Sequence, residues 1–383
     1  MQTETIVIGG GISGLSAARR LHEAGRKFLL VTDRLGGRMH HSHDGLMNFG
    51  AVYITEDYKH VSHFVGRRQE LRISQIYTKN GSRLMPFIHY TNLRFALPGL
   101  RLYRILFRFR KEINAFRKEA EFIPQHELLP RYPFLQEMVS APATQFVSKY
   151  ALAYLNEHFG RHALGATCFA RDDEVNALFY LTVLLPLVVK TYFADFSSTC
   201  KKLTENIQHA IIYDKIKTLQ KTGETSFTAA TVSGKLLKGR NVIIAVPYHN
   251  AQLFYDVPKP HLSKAATVAY VRGTLRDAHR RKMVIMMDPA TSPVVLIWRL
   301  AENMDLVVSL TPDPPLREYY SGYEVLAHVT WKEAMVVSGG RWVPMKLESN
   351  LFLAGDYNLC GLEDSYISGH CAANQIIGCS KTT

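Results

Sequence analysis

A glycine motif between two apolar segments near the amino terminus constrains the fold of this chain more than any other feature. Residues 5–8 are an apolar run that predicts a short buried strand, and residues 15–24 have the spacing of an apolar helix face. The segment between them reads G-x-G-x-x-G, with its glycines at Gly9, Gly11 and Gly14. This strand, loop and helix predict the opening unit of a dinucleotide-binding α/β domain.

Each glycine of the motif has its own expected role. Gly9 permits the tight turn, Gly11 lets the backbone approach a pyrophosphate, and Gly14 lets the helix pack close to the strand. Ile12 and Ser13 begin the helix, whose N-terminus can hold phosphate groups.

The following residues argue against the simpler alternative, a glycine-rich turn that binds no ligand. Gly25 is expected to end the helix, and residues 27–32 form a second apolar run that predicts another buried strand. The strand–helix–strand unit therefore favours dinucleotide binding.

Length and charge limit the class of protein. A chain of 383 residues is longer than a single core usually organises, so two domains are expected. The formal net charge of +13 makes an anionic ligand or surface a candidate partner. No zinc-finger, basic-zipper or RNA-binding signature accompanies this charge, so we do not expect a nucleic-acid partner.

The cysteines and the amino terminus bear on location. Cysteines occur at positions 168, 200, 360, 371 and 379 without a C-x-x-C pair or a metal-binding spacing, which fits a reducing compartment. The first predicted strand begins within five residues of Met1, so we expect no targeting peptide and a cytoplasmic protein. The most apolar stretch, residues 178–189, is too short to span a bilayer and predicts a buried helix or strand pair.

Two further motifs accompany the glycine loop. Residues 32–38 place two glycines between Arg34 and Arg38, which predicts a loop that wraps close to a phosphate. A short Asn-Phe-Gly-Ala segment follows and ends in Gly50 and Ala51.

The third motif lies near the carboxyl terminus. Residues 351–357 predict a strand followed by Ala-Gly-Asp, in which Asp356 offers a carboxylate to sugar-like hydroxyl groups. Residues 361–373 predict a helix with Ser-Gly and Ala-Ala, whose first N–H groups can stabilise negative charge. These motifs together resemble those of the flavin-dependent amine oxidase, phytoene desaturase and protoporphyrinogen oxidase superfamily.

The resemblance implies an FAD cofactor held between motifs at opposite ends of the chain. Covalent members carry a cysteine after Ser-Gly-Gly, whereas Arg341 follows Ser-Gly-Gly here, so the FAD is expected to be non-covalent. The resemblance places Ile216 beside adenine and the amides of Ser365 and Tyr366 at the flavin N1 and C2=O. The full set of implied FAD contacts is Gly9, Gly11, Ile12, Ser13, Gly14, Thr32, Asp33, Arg34, Gly37, Arg38, Gly50, Ala51, Ile216, Gly355, Asp356, Ser365 and Tyr366.

One position departs from the family pattern. The family usually carries a glutamate for the adenosine ribose where this chain has Thr32, with Asp33 next to it, and the loop before Gly36 is about two residues shorter. Asp33 is the candidate for the ribose, with a hydroxyl contact from Thr32 as the alternative.

The motifs also predict how the domains are arranged. We expect an α/β, Rossmann-like FAD-binding domain from residues 1–60, 200–260 and 345–383. Residues 61–199 and 261–344 would form an inserted mixed α+β substrate or cap domain, with helices at 98–121 and 142–160. Apolar runs from 265 to 311 predict an antiparallel sheet whose inner face floors the substrate pocket.

The predicted helix near residue 100 has two readings. Its apolar stripe (Leu102, Ile105, Leu106, Phe109, Ile113 and Phe116) and its basic residues (Arg101, Arg104, Arg108 and Lys111) suggest peripheral membrane contact through residues 101–118. The alternative is an ordinary cap helix whose stripe faces the core.

The sequence names no catalytic base. Lys264, His249, Tyr270 and Trp298 are candidates for the substrate pocket by location only, and each has a structural alternative. The histidines at positions 40, 41 and 43, with Asp44, lack the spacing of a closed metal site, so no metal is expected. The sequence therefore predicts hydride transfer from an amine or an apolar CH–CH substrate to flavin N5, with a non-catalytic FAD-binding or assembly factor of the same fold as the alternative.

Overall fold

A computed structural model describes residues 1–81, 83–87, 94–276 and 283–379 of the chain. The strands of this part are β1 (Gln2–Gly10), β2 (Phe28–Leu35), β3 (Tyr53–Thr55), β4 (Gly66–Leu71), β5 (Ile76–Asn80), β6 (Arg83–Pro86), β7 (Thr191–Asp195), β8 (Ile211–Tyr213), β9 (Ile216–Gly223), β10 (Ser226–Thr231), β11 (Leu236–Ile244), β12 (Leu262–Leu275), β13 (Val284–Met287), β14 (Val294–Ala301), β15 (Met304–Ser309), β16 (Tyr320–Val337), β17 (Lys346–Glu348) and β18 (Leu351–Leu353). The helices are α1 (Ile12–Glu23), α2 (Ala96–Glu119), α3 (Gln125–Leu128), α4 (Pro133–Ser140), α5 (Ala143–Lys149), α6 (Ala153–Leu155), α7 (Arg161–Cys168), α8 (Ala177–Leu184), α9 (Thr199–Thr204), α10 (Tyr248–Ala251) and α11 (Leu362–Cys379).

The first sheet is built around the glycine motif. Its strand order is β17-β18-β11-β1-β2-β8, and β10 and β9 continue from β11. Strand β1 is parallel to β2 and β11, and β11 is parallel to β18. Ile6 and Ile8 pack on one face and Val7 on the other, which explains the uninterrupted apolar run of a doubly covered strand. The predicted α/β Rossmann-like class is confirmed.

Gly25 ends α1 as predicted. Its φ is +67°, a left-handed conformation that glycine adopts without strain. The N–H of Gly25 donates to the His22 carbonyl and that of Arg26 to the Leu21 carbonyl, which closes the helix with the bonds of a Schellman motif.

The second sheet has the order β16-β12-β15-β14-β13-β5-β6. Its pairs are antiparallel except for β13 with β5, so the predicted antiparallel sheet is present and extends further than the sequence indicated. Tyr270 and Trp298 lie on the face that packs against the cap helices in one large apolar core.

The single helix predicted at residues 142–160 is broken in the structure. Helix α5 ends at Lys149, and Ala151 takes a φ of +53°. The Leu152 N–H donates to the Val147 carbonyl and the Leu152 side chain is fully buried. The helix therefore stops next to the buried Leu152, although the apolar spacing of the sequence continues through this point.

A three-stranded sheet, β3-β7-β4, joins the two predicted domains. Strand β3 falls in the segment assigned to FAD binding, whereas β4 and β7 fall in segments assigned to the cap. The pairing of β3 with β7 thus ties the predicted parts together at this boundary.

Helix α2 turns its predicted apolar stripe towards the core. Leu102, Leu106, Phe109, Ile113 and Phe116 are at most 2% exposed, and Ile105 is partly buried against them. The stripe is therefore not available for a membrane, and the cap-helix reading of that stripe is the one the structure supports. No helix in the described ranges combines the length and the apolar character needed to cross a membrane.

Candidate cofactor site

The glycine loop has the close contacts that its motif predicts. Gly9 has a φ of +114°, and a Cβ there would stand 2.5 Å from the Ala245 carbonyl oxygen. A Cβ on Gly14 would stand 1.9 Å from the Gly9 oxygen, so only glycine lets α1 approach the strand. Beside Gly11, in contrast, no atom lies within 4 Å of a Cβ position.

The N-terminus of α1 is suited to an anion. Gly11 is its N-cap in an extended conformation, no side chain caps the helix, and the first turn contains no acidic residue. The first N–H groups of a helix lack intrahelical partners and carry partial positive charge. Open space at Gly11 and this helix end together form a cradle for a diphosphate.

The second glycine pair lies directly over the first loop. The Gly36 N–H donates to the Gly10 carbonyl at 2.8 Å. Gly37 has a φ of +52°, and a Cβ there would stand 3.1 Å from the Cα of Gly11. Residues 36–37 therefore form one wall of the cradle.

Arg38 and Asp356 meet across this cradle. The two terminal nitrogens of Arg38 donate to the two carboxylate oxygens of Asp356 at 2.7 and 2.6 Å. Burial works against the guanidinium charge, but the carboxylate of Asp356 outweighs it and raises the pKa of Arg38. The Ala51 N–H donates to the Arg38 carbonyl, and Gly50 lies so close that a Cβ would collide with the same oxygen.

Thr32 and Asp33 occupy different environments. The buried Thr32 hydroxyl accepts the Gly10 N–H at 3.0 Å and donates to the Arg34 carbonyl at 2.6 Å. It therefore holds the glycine loop in place. Asp33 is exposed, and its carboxylate lies 3.4 Å from the Lys215 ammonium. Asp33 stays the candidate for the ribose.

Ile216 lies next to the end of β2. Strand β8 pairs with β2 from Leu30 to Thr32, and the Asp214 N–H donates to the Thr32 carbonyl. The chain reaches Ile216, the first residue of β9, directly after this contact. The structure thus brings the predicted adenine strand to the same edge as Thr32 and Asp33.

The closing helix α11 packs against α1 through small residues. A Cβ on Gly369 would stand 1.9 Å from the Ser13 carbonyl oxygen, and the Gly355 N–H donates to the Ser368 hydroxyl at 2.7 Å. These contacts place the Ala-Gly-Asp turn beside the start of α1.

Two amides expected at the flavin lie inside α11. The Ser365 N–H donates to the Gly361 carbonyl, so it is engaged within the helix. The Tyr366 ring stacks on His60 at 5.3 Å, and the Tyr366 carbonyl accepts the Ser16 hydroxyl. The free N–H groups of a helix precede these positions, at residues 362–364, so the roles of the Ser365 and Tyr366 amides at the flavin stay predictions.

Arg34 reaches across to the cap sheet. Its guanidinium lies 5.4 Å from the Trp331 ring centre, and the Trp331 indole N–H donates to the Phe49 carbonyl. His40 lies beside both Phe49 and Trp331, and burial together with Arg34 lowers its pKa. His40 is thus a half-buried contact between the loop that follows β2 and the cap sheet.

The four pocket candidates from the sequence all have structural partners. The Lys264 ammonium lies 2.6 Å from the Glu174 carboxylate, and His249 contacts Glu333 at 2.5 Å. The Tyr270 hydroxyl accepts the Asn48 N–H and donates to the Asn48 carbonyl, and Trp298 is buried against Phe193. No group of metal-ligating side chains is found among the residues described.

Two buried acids at the start of α11 have contacts that the sequence did not predict. Glu363 is 1% exposed and accepts the N–H groups of Lys59, His60 and Val61 at 2.8 to 3.0 Å. Asp364 forms a buried bidentate pair with Arg117 of α2. Only their position at a helix N-terminus hinted at a role.

A cavity of about 610 Å³ lies apart from the glycine motifs. It opens between β4 and the turn that joins β14 to β15, and Leu46 reaches it from the loop after Arg38. Its lining mixes apolar and polar side chains: Leu46, Arg68, Gln69, Glu70, Arg72, Gln75, Phe193, Leu300 and Met304. Its volume is in the range of small-molecule sites.

The residues present fit an FAD diphosphate at α1 and a polyhydroxyl chain at Asp356. They form the strand, glycine loop and helix of a Rossmann-like domain, and comparison with known proteins agrees. Residues 7–68 match the family model described as an NAD(P)-binding Rossmann-like domain. Polyamine oxidase 1 of Zea mays is 33% identical over 99 residues, which are 25% of this chain and 16% of the relative.

Solved structures match over nearly the whole chain. A putrescine oxidase triple mutant with redesigned cofactor binding aligns with a TM-score of 0.69 at 13% identity, covering 98% of this chain and 99% of its own. Cyclohexylamine oxidase from Brevibacterium oxydans IH-35A gives 0.63 at 14%, covering 99% of both chains. The CLA-producing fatty acid isomerase from P. acnes gives 0.68 at 12%, covering 96% and 97%. The chain therefore has the fold of these oxidases and of the isomerase, which confirms the fold that the resemblance implied.

Proposed function

We propose that this chain is an FAD-dependent oxidoreductase that removes a hydride from an amine or an apolar CH–CH substrate. The observation that carries the proposal is the meeting of both ends of the chain at one helix N-terminus, where Arg38 pairs with Asp356 beside Gly11. Non-covalent FAD would supply the hydride acceptor. The chain's own groups would bind the diphosphate at α1, orient hydroxyl groups at Asp356 and place Asp33 at the ribose.

The cavity beside β4 is our candidate for substrate access. Phe193 lines it and packs edge to face on Trp298 of the cap sheet, with ring centres 5.2 Å apart. The substitution Met304→Trp should fill this cavity and raise KM for the substrate, while the FAD content of the purified protein stays unchanged. A lower FAD content with an unchanged KM would assign the cavity to another role.

Anaerobic photometry tests the proposed activity. Purified protein is mixed with putrescine, cyclohexylamine, an unsaturated fatty acid or a polyene, and the flavin absorption band is followed. Solved structures of this fold include oxidases of the first two compounds and a fatty acid isomerase, so the panel spans both chemistries. Bleaching by one member and return of the band in air would support oxidase activity.

The second candidate is an FAD-binding or assembly factor without turnover. Thr32 in place of an acid and the engaged side chains of Lys264, His249 and Tyr270 favour it. Protein that retains FAD but keeps its colour with every compound of the panel would select this candidate.

A further inference from the structure

Helix α2 exposes a second face opposite its buried stripe. The outer face of α2 combines exposed apolar and basic side chains at helical spacing: Leu97, Leu100, Tyr103 and Phe107 with Arg101, Arg104, Arg108 and Lys111. The exposed fractions of its four apolar residues lie between 44% and 69%. The Tyr103 and Phe107 rings touch, with centres 4.6 Å apart, so they form a continuous aromatic patch.

The basic residues of this face are poorly neutralised. No acidic residue occurs between positions 96 and 111. Arg110 turns inward to Asp57 and Glu56, and Arg108 has Glu112 at 3.5 Å. Within the described residues, Arg101, Arg104 and Lys111 form no ion pair with a carboxylate, so the outer face of α2 is positively charged.

We propose that the outer face of α2 binds the surface of an anionic lipid bilayer, with the helix lying in the membrane plane. Aromatic rings favour the membrane interface, and arginine and lysine keep their charges at the headgroups while their stems cover apolar surface. At 1.5 Å per residue, positions 97–111 present a strip about 21 Å long. This geometry matches an interfacial amphipathic helix.

Charge selects the bilayer over other occupants. A second copy of this chain would place one basic face against another, which like charges disfavour. An acidic peptide or a nucleic acid would use the basic residues but leave Leu97 and Leu100 in water. A negatively charged bilayer satisfies both parts of the face. This inference goes beyond the proposed function and holds with or without flavin turnover.

Vesicle co-sedimentation tests the inference on the full chain. We expect binding to phosphatidylcholine vesicles that contain phosphatidylserine, and weak binding to phosphatidylcholine alone. Because each basic residue near such a surface is worth about a fivefold change in affinity, the triple variant Arg101→Glu, Arg104→Glu, Lys111→Glu should bind at least 100-fold more weakly. The variant Lys201→Glu, Lys217→Glu, Lys238→Glu makes the same charge change at exposed sites of the cofactor domain and should bind like the unmodified chain.

A second measurement reports insertion. The fluorescence of Tyr103→Trp should be quenched by lipids brominated in their acyl chains, whereas that of Tyr213→Trp, at an even more exposed site in β8, should not. Equal loss of binding in both triple variants would reduce the effect to net charge and overturn the proposal. Three other results would also overturn the proposal. They are no binding of the unmodified chain to the vesicles, unchanged vesicle binding of the α2 variant, and an α2 variant that loses self-association but not vesicle binding.

Discussion

Arg38 and Asp356 lie 318 positions apart in the chain and form a two-bonded ion pair between the two glycine-containing turns. Asp356 is 8% exposed at its side chain and Arg38 is 27% exposed. The pair therefore connects the second glycine loop to the turn before α11.

Asp356→Ala should destabilise the fold and weaken FAD binding together. Removing one partner leaves the partly buried Arg38 uncompensated, at a cost of about 2 kcal/mol after allowance for its exposure. Urea unfolding and FAD titration measure the two effects, and a double-mutant cycle with Arg38→Ala isolates the pair. A cycle coupling near zero would show that the ion pair itself adds nothing.

Gly11→Val should abolish FAD binding without unfolding the protein. A Cβ at Gly11 meets no protein atom, so its side chain would fill only the space proposed for the diphosphate. Gly322→Val is the matched control, because Gly322 also has open space and lies in β16. Acid precipitation should release all flavin from the control into the supernatant. Normal FAD content in Gly11→Val would refute the motif assignment.

Asp33→Ala and Thr32→Ala should separate cofactor binding from loop stability. Loss of a charge-assisted bond costs about 1.5 to 3 kcal/mol, so Asp33→Ala should weaken FAD roughly tenfold or more. Thr32→Ala should mainly lower the free energy of unfolding, because the hydroxyl holds both Gly10 and Arg34. The opposite ranking in FAD titrations would assign the ribose to Thr32.

Features fixed by nearby residues were predictable from the sequence. The glycine turn, the helix stop at Gly25 and the buried strands each depend on conformations that a few neighbouring residues determine. The likeness of the terminal motifs also predicts one site for Arg38 and Asp356, which form an ion pair in the structure.

Features fixed by distant packing were not predictable. Glu363 binds three amides some 300 positions away, and no local pattern signals that contact. The apolar spacing runs through Ala151 although the helix stops there. On α2 the sequence shows an apolar stripe, but the side of the helix that stays exposed depends on how α2 packs, so the exposed face around Tyr103 was not predictable.

Stability should fall in acid through His162. Burial lowers the pKa of His162 to about 4, while its unfolded value is near 6.5. Because the folded state resists protonation of His162, the free energy of unfolding keeps its full value above pH 6.5. It falls by up to about 3 kcal/mol between about pH 6.5 and pH 4. Its Nε2 lies 2.9 Å from the Asn80 amide oxygen. Urea unfolding at pH 7 and pH 4.5 should show a smaller drop in His162→Gln than in the unmodified chain; equal drops would contradict the assignment.

Glu363→Gln should loosen the segment that follows β3. The carboxylate accepts the N–H groups of Lys59 and His60 with one oxygen and that of Val61 with the other. An amide can replace one oxygen only, and its NH₂ group then faces a backbone N–H, so we expect a loss of about 1 to 3 kcal/mol. Limited proteolysis should cut near residue 60 faster in this variant, and urea unfolding should confirm the lower stability. Glu318→Gln, at an exposed acid, is the control and should change neither measurement. If Glu363→Gln matched that control, the three amide contacts would not anchor this segment to α11.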